Sequence, residues 1–119
     1  MDEGLYAWVQ EALEPLGVVT MRKMMGGATL YLDGIIFAIL DEGEIWFKAD
    51  AETDAIWDAE GCERFSMTFK DGRVDTMNYR RAPSDVYDEP EAMQRWAKLA
   101  LDAGLRGAAK KKPRKKPSC

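Results

Sequence analysis

Cys62, Cys119, the acids Asp50, Glu52, Asp54, Asp58 and Glu60, and the Gly26-Gly27 pair behind Arg22-Lys23 are where this chain could do chemistry. A thiol nucleophile needs a base or a cation to hold its charge. The sequence contains no histidine. That excludes serine–histidine and cysteine–histidine catalysis, histidine proton shuttles and histidine-bearing metal sites. Cys62 follows Gly61 and reads as a packed core or loop thiol, the usual place for a free cysteine. Cys119 is assigned no function, and the two cysteines form neither a disulfide framework nor a Cys-x-x-Cys pair. The acids from 50 to 60 lack the alternating ligands and fixed glycine of a calcium loop, and read as a solvated helix face. A phosphate-binding loop carries its lysine after the glycines at a helix start, whereas here Arg22 and Lys23 come first and a strand follows. Gly26-Gly27 therefore reads as a tight turn. No cofactor and no metal are expected, and a carboxylate or thiol enzyme is the least favoured function.

Charge carries more information than any catalytic motif. Of 17 basic residues, seven (Arg106, Lys110, Lys111, Lys112, Arg114, Lys115 and Lys116) follow residue 105, and none of the 21 acids does. The net charge of −4 thus joins an acidic body to a basic tail, an asymmetry that speaks of partners or solubility and not of fold. Residues 106–119, rich in lysine and proline, are expected to be a disordered tail, and residues 1–105 a single domain. Extended, the tail would reach roughly 45 Å. It offers either solubility or weak, nonspecific contact with DNA or RNA. Arg80 and Arg81, with Arg22, Lys23, Arg64 and Arg73, could add a basic sheet surface, and Tyr31, Trp46, Phe47 and Tyr79 could interleave with it to stack bases. Against this, the body is strongly acidic, which opposes sequence-independent binding to a polyanion, and aromatics on short strands are more often core.

The elements that would position these residues follow from periodicity. Leu5, Trp8, Val9, Ala12, Leu13 and Leu16 recur at three and four, which predicts an amphipathic helix over 3–16, with Pro15 a defect near its end. Short strands then follow at 18–25, 28–32, 35–40 and 44–48. Gly26-Gly27, Asp33-Gly34 and Asp41-Glu42-Gly43 separate them, a pattern of antiparallel hairpins. The apolar run 35–40 reads as a central strand covered on both faces. Asp50 can cap a second helix that ends at Gly61. A hairpin follows, with strands at 65–69 and 73–79, and a last helix opens at Asp88-Glu89-Pro90-Glu91. The order fits an α+β, two-layer domain whose mostly antiparallel sheet of about six strands packs against helices.

The first ten residues open acidic and lack the basic start of a signal peptide, and the longest apolar run is too short to cross a bilayer. A soluble, reduced, cytoplasmic protein without a membrane role is expected.

Arg22-Lys23-Met24-Met25-Gly26-Gly27, then Leu30-Tyr31-Leu32-Asp33-Gly34 and Phe37-Ala38, resembles the amino-terminal domain of the bacterial TfoX (Sxy) competence regulators. Trp46-Phe47-Lys48, Gly61-Cys62, Phe65, Met77-Asn78-Tyr79 and Pro83 continue in the same order, so the likeness covers about residues 5–103. Met25 stands where the family usually has phenylalanine. The resemblance implies an α+β domain with a regulatory or protein-interaction role and no established catalytic site. Its motif positions here are Arg22, Lys23, Gly26, Gly27, Tyr31 and Gly34, with the glycines read first as turn-makers. The expected function is a non-enzymatic regulatory module with an unidentified protein partner. A homodimer through a free sheet edge is open to it. The alternative is a direct nucleic-acid binder, with Arg22, Lys23, Arg80 and Arg81 on one sheet surface and the tail beside them.

Overall fold

The structure is a computed structural model, and it describes residues 3–24 and 27–111. Helix α1 (Glu3–Ala12) leads into four strands joined as successive hairpins: β1 (Val19–Met24), β2 (Gly27–Leu32), β3 (Ile35–Asp41) and β4 (Glu44–Lys48). After α2 (Asp54–Ala59) come β5 (Arg64–Thr68), β6 (Val74–Arg81), a 3₁₀ turn (Ser84–Tyr87) and α3 (Pro90–Lys111). All pairings are antiparallel, in the order β1-β2-β3-β4-β6-β5. This is the α+β architecture expected, with six strands.

Two hairpins are set by residues that accept a left-handed backbone. Asp33 and Gly34 have φ of 49° and 87°, and Glu42 and Gly43 have 52° and 78°. That is the two-residue turn whose twist matches the strands it joins. Register then decides which side chains meet. Ala28, Leu30 and Leu32 alternate inward along β2, and with Phe37, Ala38, Leu40, Ile45 and Phe47 they form one face under the helices. Phe37 is an extra residue between the pairs Tyr31–Ile36 and Leu30–Ala38, a bulge that bends β3.

Trp57 of α2 is fully buried. It stacks on Phe47 at 5.7 Å and meets Trp96 of α3 at 5.0 Å, so α2, β4 and α3 interlock at one point. Helix α3 crosses β3 closely enough that a Cβ on Gly104 would lie 2.2 Å from the Ile36 carbonyl oxygen. Any larger residue would push the helix off the sheet.

Strand ends shift by at most two residues from the sequence reading, and three helix boundaries differ from it more. Helix α1 stops at Ala12, not at residue 16, and residues 13–16 close as turns, because Pro15 has no N–H and disfavours helix at Glu14. Helix α2 begins at Asp54. Asp50 instead closes the turn before it: its carboxylate accepts from the Thr53 N–H (3.2 Å), and the Thr53 hydroxyl accepts from the Asp50 N–H (3.0 Å). Helix α3 continues past residue 105 to Lys111, since leucine, alanine, arginine and lysine sustain helix well. Its Arg106 grips Asp50 through two hydrogen bonds of 2.6 and 3.0 Å, so it belongs to the folded body.

Candidate functional site: the open face of the sheet

Among the described residues no helix packs on the second face of the sheet, and its side chains are arranged by the same register. One row crosses β1 to β6 as Arg22, Thr29, Ile39, Trp46 and Arg81, and the next holds Met24, Gly27, Asp41 and Glu44. Ile39, Trp46, Phe65 and Tyr79 form a second buried cluster, with Ile36 packed against it. Phe65 meets Trp46 edge-on at 5.0 Å. Arg81 lies over the Trp46 ring and Lys48 over the Tyr79 ring, at 5.0 and 5.2 Å. Burial pushes the Tyr79 phenol up to about 12, with a further contribution from Tyr31, so it stays protonated and can donate a hydrogen bond.

Residues from both ends of the sheet line one trough of about 280 Å³: Met24 of β1 and Phe65 of β5 share it with Ile36, Ile39, Met77 and Tyr79. For the outermost strands to face one cavity the sheet must curl. The Phe37 bulge and a second irregularity between Arg64 and Phe65 are where it bends. Met24 and Met77 remain 47% and 36% exposed at the trough. The Thr29 hydroxyl donates to the Met24 sulfur at 2.9 Å.

Of the motif residues singled out in the sequence, Arg22 and Tyr31 stand on this face. Lys23 is exposed on the other side of β1, opposite Ala28. Gly27 is a strand residue and not only a turn-maker: a Cβ there would lie 2.0 Å from the Leu40 carbonyl oxygen. Gly34 makes the turn expected of it, and Gly26 lies outside the described residues.

The structure corrects the basic surface. Arg80 is 2% exposed and points under the helices. It donates there to Asp58 (2.7 Å), to the Cys62 carbonyl (3.0 Å) and to Asp54 (3.1 Å). It cannot reach a nucleic acid, because neighbouring residues on a strand face opposite ways and Arg80 took the inward side. Arg81 faces outward but bridges Glu44 and Glu63 at 3.3 and 3.4 Å. Asp54 and Asp58, read as a solvated helix face, are the counter-charges that let Arg80 be buried. Lys110 and Lys111 end α3, and Lys112, Arg114, Lys115 and Lys116 lie outside the described residues.

Cys62 is buried, and burial first, then Glu60, raises its thiol above the ordinary value, with Arg80 opposing. At neutral pH it is a thiol, not a thiolate. It lines a second cavity of about 560 Å³ with Glu44, Glu60, Arg81, Ser84 and Tyr87. Tyr87 accepts the Ile45 N–H there at 2.8 Å. Hydrogen bonds from Arg106 hold the Asp50 carboxyl below its usual range. Among the described residues no three cysteine, aspartate or glutamate side chains converge to hold a metal ion, and no helix is long and apolar enough to cross a membrane.

Sequence reasoning missed the trough. Its signal was the alternation Met77, Tyr79, Arg81 along β6 together with the apolar run of β3, which leaves apolar groups for a face that no helix covers.

Comparison with known proteins matches residues 11–104 to the TfoX N-terminal domain, a span that contains the whole sheet. Protein Sxy of Escherichia coli (strain K12) is 30% identical over 101 residues, which covers 82% of this chain and 46% of Sxy. The DNA transformation protein TfoX1 of Aliivibrio fischeri (strain ATCC 700601 / ES114) is 31% identical over 79 residues, 66% of this chain and 35% of that protein. The chain thus spans less than half the length of these relatives. With the family model matched over residues 11–104 and a relative 30% identical across most of the chain, the chain belongs to the TfoX N-terminal domain family.

Proposed function

We propose that this chain is a non-enzymatic, cytoplasmic protein-interaction module that serves a regulator of bacterial DNA transformation, with the open face of the sheet as its binding surface. The likeness to a DNA transformation protein supports the regulatory setting. The observation that carries the reading is the apolar trough with its two exposed methionines, since flexible, polarizable methionines suit a surface that must fit a partner. The absence of histidine, the inert Cys62 thiol and the use of Asp54 and Asp58 as counter-ions to Arg80 support a binding role over catalysis. The partner is another protein. The unpaired edges of β1 and β5 offer backbone groups for a homodimer as well.

The test is genetic. In the source bacterium, deletion of the gene is expected to lower transformation frequency and the transcripts of DNA-uptake genes. A chromosomal Met77→Asp change is expected to reproduce the loss while the protein accumulates normally. A deletion strain with unchanged transformation and transcripts would refute the reading.

The basic segment would add nonspecific contact with nucleic acid. If the six basic residues from Lys110 onward engage duplex DNA, log K falls against log salt with a slope of up to about −5. Because Arg106 holds Asp50, the informative truncation falls after Lys111 and not after residue 105. A truncated protein that binds as tightly as the full chain across a salt series would remove this role from residues 112–119.

A further inference from the structure

We propose that the trough on the open face receives a segment of a partner polypeptide that presents two large apolar side chains with a lysine or arginine beside them. The proposal rests on the reading of the chain as a protein-interaction module and names the chemistry of the partner. Volume sets the first condition. At about 280 Å³, the trough is roughly twice the ~150 Å³ cavity that holds one benzene, room for about two leucine- or phenylalanine-sized groups. The lining sets the second, since Met24, Ile36, Ile39, Phe65 and Met77 offer hydrocarbon and thioether surface with few hydrogen-bonding groups.

Charge sets the third. Asp41 is the one charged residue that lines the trough, and its carboxylate has no hydrogen bond or ion pair among the described residues. Its cross-strand neighbours cannot supply one: Gly27 has no side chain, and Glu44 is itself an acid whose counter-ion is Arg81. Arg22 lies in the adjacent row, on the edge strand, and is not part of the lining. An apolar segment entering this trough brings its flank against a carboxylate that no described residue pairs with, and a basic residue is the group that answers it.

The experiment uses the full chain with carbon-13-labelled methionine methyls and two short synthetic peptides. Both carry the same leucine and phenylalanine anchors, flanked by arginine in one and by glutamate in the other. The arginine peptide is expected to shift the methyl resonances of Met24 and Met77, and to bind more tightly than the glutamate peptide. Asp41→Asn is expected to reduce that preference by about threefold to fivefold, the range of a partly exposed ion pair. The substitution leaves overall acidity nearly unchanged, so it separates the local carboxylate from general attraction to an acidic body.

Three results overturn the proposal: neither peptide shifts the two methyls; the preference survives Asp41→Asn undiminished; or a peptide with its anchors replaced by serine binds equally well. Concentration-dependent shifts of Met24 and Met77 in the protein alone would assign the trough to a second copy of the chain and overturn it too. These failures are separable from failure of the broader function. A protein that binds neither peptide, yet whose deletion and Met77→Asp variant still lose transformation, keeps its interaction role and loses only this partner chemistry.

Discussion

The two faces of the sheet are built from the same strands and are covered differently. On one, Phe47, Leu30 and Leu40 share a buried cluster with residues of α1, α2 and α3, and Trp57 between the layers is fully buried. On the other, Trp46 of the same β4 strand is nearly as buried, 7% exposed, yet its cover comes from Phe65, Arg81 and the curl of the sheet itself. A second layer makes a core that must stay closed. A curled single layer hides its aromatics and still leaves the methionines at the rim accessible. If the open face is the binding surface proposed above, stability and recognition fall to opposite faces, and a surface can be shaped for a partner without loosening the core.

The sharpest way to break this contrast is to make one substitution on both faces. Trp57→Ala is expected to cost about 3–5 kcal/mol, a large fraction of the about 5–15 kcal/mol that holds a domain folded, because three elements close around that ring. Trp46→Ala is expected to cost clearly less, about 2–3 kcal/mol, since side chains on an open face can close over the gap. Urea denaturation of both variants decides it. Equal losses would mean that the open face is as much a core as the covered one.

Next in size is the charge buried on the covered side. Arg80→Ala leaves the Cys62 carbonyl without its donor and takes the buried counter-charge from Asp54 and Asp58, for an expected loss of about 2–3 kcal/mol. Asp58→Asn should cost under about 1 kcal/mol, because the Asp58 side chain is 67% exposed and water screens its share of the pair. If the two variants lose the same stability, Asp58 rather than the burial of Arg80 is the critical element.

How far the sequence carried the fold follows from locality. The hairpins from β2 to β4 were legible because Asp33-Gly34 and Glu42-Gly43 place turn-forming residues between apolar runs, and the β1–β2 pairing was read from Gly26-Gly27 in the same way. The insertion of β6 between β4 and β5 was not, since no local signal encodes a pairing across α2. Period two says that Arg80 and Arg81 face opposite ways, but which one turns inward depends on where Asp54 and Asp58 fall in space. The lysines of 110 and 111 made the end of α3 look like a tail by composition, although alanine, leucine and lysine are good helix formers. The trough was least legible of all, because it depends on strand bulges that join β1 and β5 residues far apart in the chain.

On the open face, Met77→Asp is expected to change stability by under about 1 kcal/mol, as exposed substitutions usually do, while it abolishes binding of an apolar partner. Calorimetry of the purified variant, set beside its binding titration, measures both. A large drop in melting temperature would erase the division of labour between the faces.

The smallest effect appears only as a pH dependence, and it tests whether the final turns of α3 belong to the body. Arg106 holds the Asp50 carboxyl below its ordinary value of 3.8, so the folded state gives up that proton more readily than the unfolded chain. A carboxyl depressed in this way adds stability that is fully present above the unfolded value and is lost as pH falls through the folded value beneath it. Wild type should therefore melt above an Arg106→Gln variant at neutral pH, and the gap should close as the solution is acidified below about pH 3.8. If the two proteins melt together at pH 7, the ion pair contributes nothing and the body ends before residue 106, where composition alone had placed it.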